Sequence, residues 1–263
     1  MRLEDWIDPR HLAPMAQASC AATFSSAPHA SVTIDDFLQA EKFAALQRVY
    51  STEGRFEERY YVNRRREGQT IAKDEIVSAE VWRTVPNAHQ ASHERNFVGP
   101  LPLHRMGKGI ITLAKFLELM NLPDFMDFLG AVTGIRPMAL NGHMMRIMTG
   151  NHYVRPHNDA GPNRTLCAIF YASSGWNPHF GGRFRHLGPG SEPVSIEPRP
   201  NRLLLFEPRI DCPHDVEPIT EGGTHWQRWA QTLWFGEPTA DNEKLGADSL
   251  ALEEVPTASD HAH

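Results

Sequence analysis

The chain has no surplus of positive charge: 26 Lys and Arg stand against 32 Asp and Glu, a formal net charge of −6. Nucleic-acid binding normally needs a basic face, so no nucleic-acid partner is expected. Long apolar runs are also missing. No stretch approaches the roughly 18 residues of a membrane-spanning helix, and residues 1–30 lack the continuous apolar core of an export signal. Cysteine is scarce and irregularly spaced, at Cys20, Cys167 and Cys212, which excludes a disulfide framework and a CxxC zinc site. No internal repeat marks a solenoid or propeller. These absences leave a soluble, cytoplasmic protein of ordinary globular composition, with no membrane association and an oligomeric state that is not encoded in any visible pattern.

What is present divides the chain in two. Residues 31–34 (Ser-Val-Thr-Ile) read as a short strand. Asp35 or Asp36 is placed to cap a helix carrying Phe37, Leu38, Phe43, Leu46 and Val49. Residues 51–108 are polar, hold the run Arg64-Arg65-Arg66, and sustain neither the period of a strand nor that of a helix, so an irregular segment is expected there. Leu113, Phe116, Leu117 and Met120, then Phe125, Phe128, Leu129 and Val132, recur at helical spacing on either side of Pro123, and Gly134 is a natural stop. Beyond it come short apolar runs near 144–148, 166–172, 202–206 and 230–235, punctuated by Gly, Pro and Asn, which predict antiparallel strands. The expected organisation is an extension over 1–30, one domain over 31–240 with helical support at 31–135 and a β core at 136–240, and a mobile acidic tail at 241–263.

The β half contains the chain's one His-x-Asp, at His157 and Asp159. On an extended backbone residues i and i+2 project to one side, so this imidazole and carboxylate can serve a single ion. A third ligand is available at His214, just past Leu203-Leu204-Leu205-Phe206. Two imidazoles and one carboxylate leave coordination positions open, as a non-haem iron needs to bind a chelating cosubstrate and oxygen. A closed zinc site would want a fourth ligand, for which Cys212 is the neighbour, although buried free cysteine is common. Arg228 follows His214 by fourteen residues (228 − 214) and opens the run Trp229-Ala230-Gln231-Thr232-Leu233-Trp234-Phe235. An arginine in such a strand needs a partner. That partner is either a dicarboxylate cosubstrate gripped by the guanidinium fork, with Tyr171 adding a hydroxyl, or an Asp or Glu on a neighbouring strand.

These residues resemble the prolyl-4-hydroxylase-like branch of the Fe(II)/2-oxoglutarate-dependent dioxygenases, in particular the hypoxia-inducible-factor prolyl hydroxylases, over about residues 144–236. The likeness rests on Tyr153-Val154-Arg155 before the His-x-Asp, Arg164 and the strand ending in Tyr171, Gly181-Gly182, Glu197-Pro198, Asn201-Arg202-Leu203-Leu204-Leu205-Phe206, His214-x-Val216-x-Pro218, and Arg228-Trp229-Ala230-x-Thr232-x-Trp234-Phe235. The resemblance implies a mainly β chain with flanking helices, built on a double-stranded β-helix, or jelly roll. It makes His157, Asp159 and His214 the iron ligands and Arg228 the anchor of 2-oxoglutarate, assisted by Tyr171 and Thr232. Arg164, Trp234 and Tyr153 then lie toward the substrate. The implied reaction consumes O2 and 2-oxoglutarate, releases succinate and CO2, and hydroxylates an unactivated C–H bond. Related halogenases lack the metal carboxylate, so Asp159 argues for hydroxylation.

Three departures separate the chain from the oxygen-sensing enzymes: Pro156, inserted between Arg155 and His157; the loop at 221–225, which lengthens the His214-to-Arg228 spacing; and residues 51–108. Segments like these shape the substrate pocket in this fold, so the expected substrate is an amino acid, a small metabolite or a carrier-bound residue. A peptidyl-prolyl hydroxylase is the alternative. A second alternative is a cupin-like protein with zinc or manganese, which has no need of Arg228 as an anchor. The remaining histidines, His143, His152, His179, His186 and His225, are expected at the surface or in hydrogen bonds, and Met144, Met145 and Met148 in the strand core or pocket wall.

Overall fold

The structure, a computed structural model, describes residues 1–64, 73–102, 107–161, 163–188 and 192–238. Arg65, Arg66 and the tail over 241–263 lie outside the described residues. Twelve strands run through the chain: β1 (Ser31–Ile34), β2 (Gly54–Arg64), β3 (Lys73–Val77), β4 (Gln90–Pro100), β5 (Ala139–Met148), β6 (Tyr153–His157), β7 (Leu166–Tyr171), β8 (Phe184–His186), β9 (Val194–Ile196), β10 (Arg202–Phe206), β11 (His214–Val216) and β12 (Arg228–Gly236). The helices are α1 (Pro14–Ser26), α2 (Ala40–Arg48), α3 (Ala79–Thr84), α4 (Lys108–Leu119) and α5 (Pro123–Thr133). None of the described helices is long and apolar enough to cross a membrane.

All strand pairs are antiparallel, in the order β1-β10-β7-β12-β5-β4-β6-β11-β8-β9, with β2 on β4 and β3 on β2. β4 is the link, because it pairs with β5 at one end and β6 at the other and so joins the two sheets of the roll. The outer face of the β10-β7-β12-β5 sheet is apolar at alternate positions and packs Leu203, Leu205, Phe170, Leu233 and Phe235 against Phe116, Phe125, Phe128 and Leu129 of α4 and α5. Trp6, Ile7 and Phe24 from the N-terminal extension join this core. Between the sheets a smaller cluster holds Cys167, Ile169, Tyr171, Phe184, Leu204, Phe206 and Ala230.

The paired helices around Pro123 form as expected, and Gly134 ends α5 in the left-handed region with φ 77°, the usual helix stop for glycine. The helix expected from Asp35 or Asp36 starts later, at Ala40. Asp36 itself is left-handed (φ 51°), and the chain turns because Asn201 brackets Leu38, accepting from its N–H at 2.9 Å and donating to its carbonyl at 2.7 Å. The described residues of 51–108 are not irregular. They supply β2, β3, α3 and the eleven-residue β4. The buried side chains of β4 include Ser92, Glu94 and Asn96, so its alternation is polar inward and escapes a search for apolar periodicity.

Glu53 ties this segment to the helical layer. Its buried carboxylate accepts from the backbone N–H groups of Gly107, Gly109 and Ile110 at 3.2, 3.2 and 2.9 Å, satisfying the first turn of α4. A Cβ at Gly109 would sit 2.8 Å from a Glu53 oxygen, so glycine is what lets the carboxylate approach. Glu53→Ala leaves those donors dry and is expected to cost about 2 kcal/mol, measured as a lower urea midpoint with an unchanged m-value.

Candidate active site

The three sequence-selected ligands meet at one end of the roll. The ligand atoms of His157, Asp159 and His214 all lie within 4.8 Å of one another: His157 Nε2 is 3.8 Å from one Asp159 oxygen, and His214 Nε2 is 3.4 Å from the other. His157 and His214 are cross-strand partners of β6 and β11, with ring centroids 4.3 Å apart. Pro156 is absorbed there. Val154 pairs with Val216 and His157 with His214, a slip of one residue, so the extra proline forms an irregularity that keeps His157 facing His214. His157 Nδ1 lies 2.9 Å from the Arg155 carbonyl, which can only accept, so Nδ1 carries the proton and Nε2 offers its lone pair. Burial pulls the His214 pKa down to about 4, keeping that ring neutral near pH 7. Burial works against charge on Asp159, but the hydrogen bond from His214, the nearby His157 and the Trp234 indole together hold its pKa below the usual carboxylate range. Arg164 reaches the Asp159 carbonyl at 3.2 Å and stacks 4.8 Å from the Trp234 ring, beside the triad, in a cation–π contact.

Arg228 is deeper, only 1% exposed. Its Nε donates to the Gly182 carbonyl at 2.9 Å and Nη1 meets the Met148 sulfur at 3.7 Å, while Nη2 has no partner. Gly182 is left-handed (φ 75°), and a Cβ there would lie 2.6 Å from Ile219 and 3.4 Å from the Arg228 side chain, so both conformation and space call for glycine. The Arg228 guanidinium stands 5.1 Å from the Tyr171 ring and interacts with its buried hydroxyl, but neither Nη2 nor that hydroxyl makes a well-formed hydrogen bond. Burial lowers the Arg228 pKa. No neighbouring Asp or Glu pairs with it among the described residues, so the strand-partner explanation for this arginine does not hold. A buried guanidinium nitrogen and a buried hydroxyl beside each other on one inner face, neither with a well-formed hydrogen bond, fit a carboxylate supplied from outside the chain. The donor set of the triad likewise fits a divalent iron.

The β12 register orders the rest. Ala230 pairs with Tyr171 and with Arg146, Thr232 with Ile169 and Met144, and Trp234 with Cys167. Cross-strand partners share a face, so Thr232 and Trp234 lie on the inner face with Arg228 and Tyr171. Tyr153 is not brought to the triad. It neighbours the inward Val154, stacks with Arg155 at 5.2 Å and bonds Gln90 through its hydroxyl at 3.2 Å. Cys212 is no fourth ligand either: its sulfur sits 3.2 Å from His29 Nδ1 and 3.9 Å from His186 Nδ1. Of the two places expected for His186, surface or hydrogen bond, the structure gives the second: it is fully buried, with Nδ1 toward the Cys212 sulfur.

Sequence reasoning missed two groups. Glu58, His93 and His152 gather elsewhere, with His93 Nε2 2.9 Å and His152 Nε2 3.4 Å from the same Glu58 oxygen. Arg95 stands 3.8 Å from the other oxygen, so the one carboxylate already faces a cation, and the set is best described as a hydrogen-bonded cluster. The second group is Glu94, Asn96 and Arg146. The signal for it was the single basic residue in Met144-Met145-Arg146-Ile147-Met148, sharing strand parity with Met144 and Met148.

Comparisons with known proteins agree with this geometry. Residues 142–236 match the family model of the 2OG-Fe(II) oxygenase superfamily. A hypoxia-inducible factor prolyl hydroxylase of Caenorhabditis elegans is 29% identical over 128 residues, which are 44% of this chain, and the chain spans only 17% of that relative's length. Among solved structures, a Pseudomonas putida prolyl-4-hydroxylase aligns with TM-score 0.53 and 16% identity, covering 85% of this chain and 100% of that one. A Trichoplax adhaerens prolyl hydroxylase in complex with a hypoxia inducible factor peptide fragment gives 0.52 and 17%, covering 92% and 94%. At these identities the structural likeness establishes the fold.

The register also yields a test. Deleting Pro156 restores a regular β6-β11 ladder with His157 still opposite His214, so a Co(II) titration should return unchanged affinity, whereas an alanine inserted after Pro156 should turn the histidine away and abolish tight binding. In sequence, residues 142–236 match the 2OG-Fe(II) oxygenase superfamily, the chain resembles a hypoxia-inducible factor prolyl hydroxylase over part of its length, and its fold is similar to that of a prolyl-4-hydroxylase.

Proposed function

We propose that this chain is an Fe(II)- and 2-oxoglutarate-dependent dioxygenase that hydroxylates an unactivated C–H bond of an amino acid, a small metabolite or a carrier-bound residue. The observation that carries the reading is the pairing of an open His157, Asp159, His214 face with a buried arginine whose Nη2 has no acceptor. In this reading the triad holds iron, and Arg228 with Tyr171 holds the far carboxylate of 2-oxoglutarate, with Thr232 on the adjoining wall. Bound iron, O2 and 2-oxoglutarate supply the oxidising power, with succinate and CO2 as products.

The protein's own part is positioning and exclusion of water. The Arg155 carbonyl orients His157 through Nδ1, and Phe184 and Phe206 flank His214 with ring centroids 4.9 Å away. Arg228 matches a dicarboxylate in charge and reach, and its burial strengthens that interaction. Arg164 and Trp234 form the edge of the site next to Asp159.

A small substrate is supported by β4, which pairs with β5 and β6 and carries the buried polar side chains Ser92, Glu94 and Asn96. A second reading, hydroxylation of peptidyl proline, is favoured by the names of the relatives. The test of the shared chemistry is anaerobic reconstitution with Fe(II) and 2-oxoglutarate, watching for the visible charge-transfer band of the chelate. Wild type is expected to develop the band, Asp159→Ala to lose it, and Arg228→Lys to need 2-oxoglutarate at about tenfold higher concentration or more, with unchanged circular dichroism. Iron binding without any band in wild type would replace this reading with the cupin-like one.

A further inference from the structure

The inner face that carries Arg228 carries a second arginine. In the β5–β12 ladder Met148 lies opposite Arg228, Arg146 opposite Ala230 and Met144 opposite Thr232. Arg146 is therefore one step along the same face from the cosubstrate anchor. Its charge reaches both Arg228 and His214, contributing to the lowered pKa of each behind the larger effect of burial. It thus lies on the anchor's face within electrostatic reach of both Arg228 and His214.

β4 completes the surroundings. Asn96 is the cross-strand partner of Arg146, and Glu94, two residues earlier, shares its face. Glu94 is 2% exposed and its Oε2 is 3.3 Å from Arg146 Nε, but this contact lacks hydrogen-bond alignment and leaves that oxygen without one. The same Arg146 Nε lies 3.2 Å from the Met144 sulfur. Asn96 donates its Nδ2 to the Tyr61 hydroxyl and keeps Oδ1 idle. Among the described residues no hydrogen bond uses the two terminal nitrogens of Arg146.

As a purely structural pair this arrangement is poor. Glu94 is buried and the Arg146 side chain keeps only 13% of its surface exposed, so the desolvation of the pair, most of all of Glu94, costs more than a single misaligned contact returns, and apolar residues of similar volume would serve the fold better. The arrangement becomes favourable when a ligand supplies what each group lacks. Arg146 offers a guanidinium fork for a carboxylate, whereas Glu94 and the Asn96 carbonyl offer acceptors for an ammonium. An α-amino acid carries both groups on one carbon, and a residue inside a peptide carries neither.

We infer that Arg146, Glu94 and Asn96 form the substrate subsite and that the substrate is a free α-amino acid, bound by its carboxylate and ammonium so that its side chain is directed to the metal. This inference rests on the dioxygenase reading and narrows its substrate. Arg146 and Glu94 are then specificity-determining residues, and the arm of β2 and β4 is the device that brings the acceptors to the site.

The test is anaerobic calorimetric titration of the Fe(II) and 2-oxoglutarate-loaded protein with each of the free L-amino acids. The comparison set is their N-acetyl amides and a proline-containing peptide, with the charge-transfer band recorded in every sample. The expected result is that at least one free amino acid binds while its blocked form and the peptide do not. Arg146→Gln should weaken that binding by about tenfold to a hundredfold and keep the band. The paired variant Arg146→Met with Glu94→Leu removes both charges together, so its loss of binding cannot come from one orphaned buried charge. Binding of the blocked forms or the peptide as tightly as the free acid would overturn the inference, as would the absence of binding by any free amino acid. Loss of the band in Arg146→Gln would overturn it too, by assigning Arg146 to the cosubstrate. Absence of the band in wild type would instead remove the dioxygenase reading on which the inference stands.

Discussion

Arg228 sits with 1% of its surface exposed, one nitrogen on the Gly182 carbonyl, another against the Met148 sulfur, and the third without an acceptor. A guanidinium does not shed its proton in a protein, so its charge has to be answered in place. Much of the neighbouring structure follows from that demand. Gly182 is glycine because a side chain there would collide with Ile219 and crowd the Arg228 stem. Tyr171 points its hydroxyl to the same face. In the proposed reading a ligand carboxylate provides the missing acceptor, and the candidate metal triad His157, Asp159 and His214 lies on the same interior.

The parts legible in the sequence share one property: local pattern and side-chain chemistry agree. His157, Asp159 and His214 could be read because strand parity and donor type both pointed to one ion. β7 and β10 could be read because they are short, mostly apolar and bounded by turn residues, and β12 by its apolar residues from Ala230 to Phe235. α4 and α5 announced themselves through Pro123 and Gly134. Pro156 read as a departure bearing on the substrate pocket, whereas its structural effect depends on the partner strand, and the β6–β11 irregularity that absorbs it has no signature within 153–157.

The strand β4 was not legible, for a physical reason. Its inward positions are Ser92, Glu94 and Asn96, so the alternation runs polar to partly exposed, and no apolar period exists to detect. What holds β2 to β4 is a ladder of backbone bonds together with pairs such as His93 with Glu58, which only the fold brings together. Arg146 was hidden by the reverse effect, as a charged residue inside a run that reads as core. Its partner Glu94 is 52 positions away in the chain (146 − 94), and a long-range buried pair leaves no trace in local spacing. Polar groups turned inward are a departure from core patterning, and such departures tend to mark functional sites.

The measurement that bears most directly on this account is an anaerobic crystal structure of the protein with Mn(II) and 2-oxoglutarate. The account predicts the ion on His157, Asp159 and His214, with the far carboxylate of 2-oxoglutarate on Arg228 and the Tyr171 hydroxyl. An ion on Glu58, His93 and His152, or a cosubstrate carboxylate seated on Arg146 with Arg228 Nη2 still idle, would contradict it.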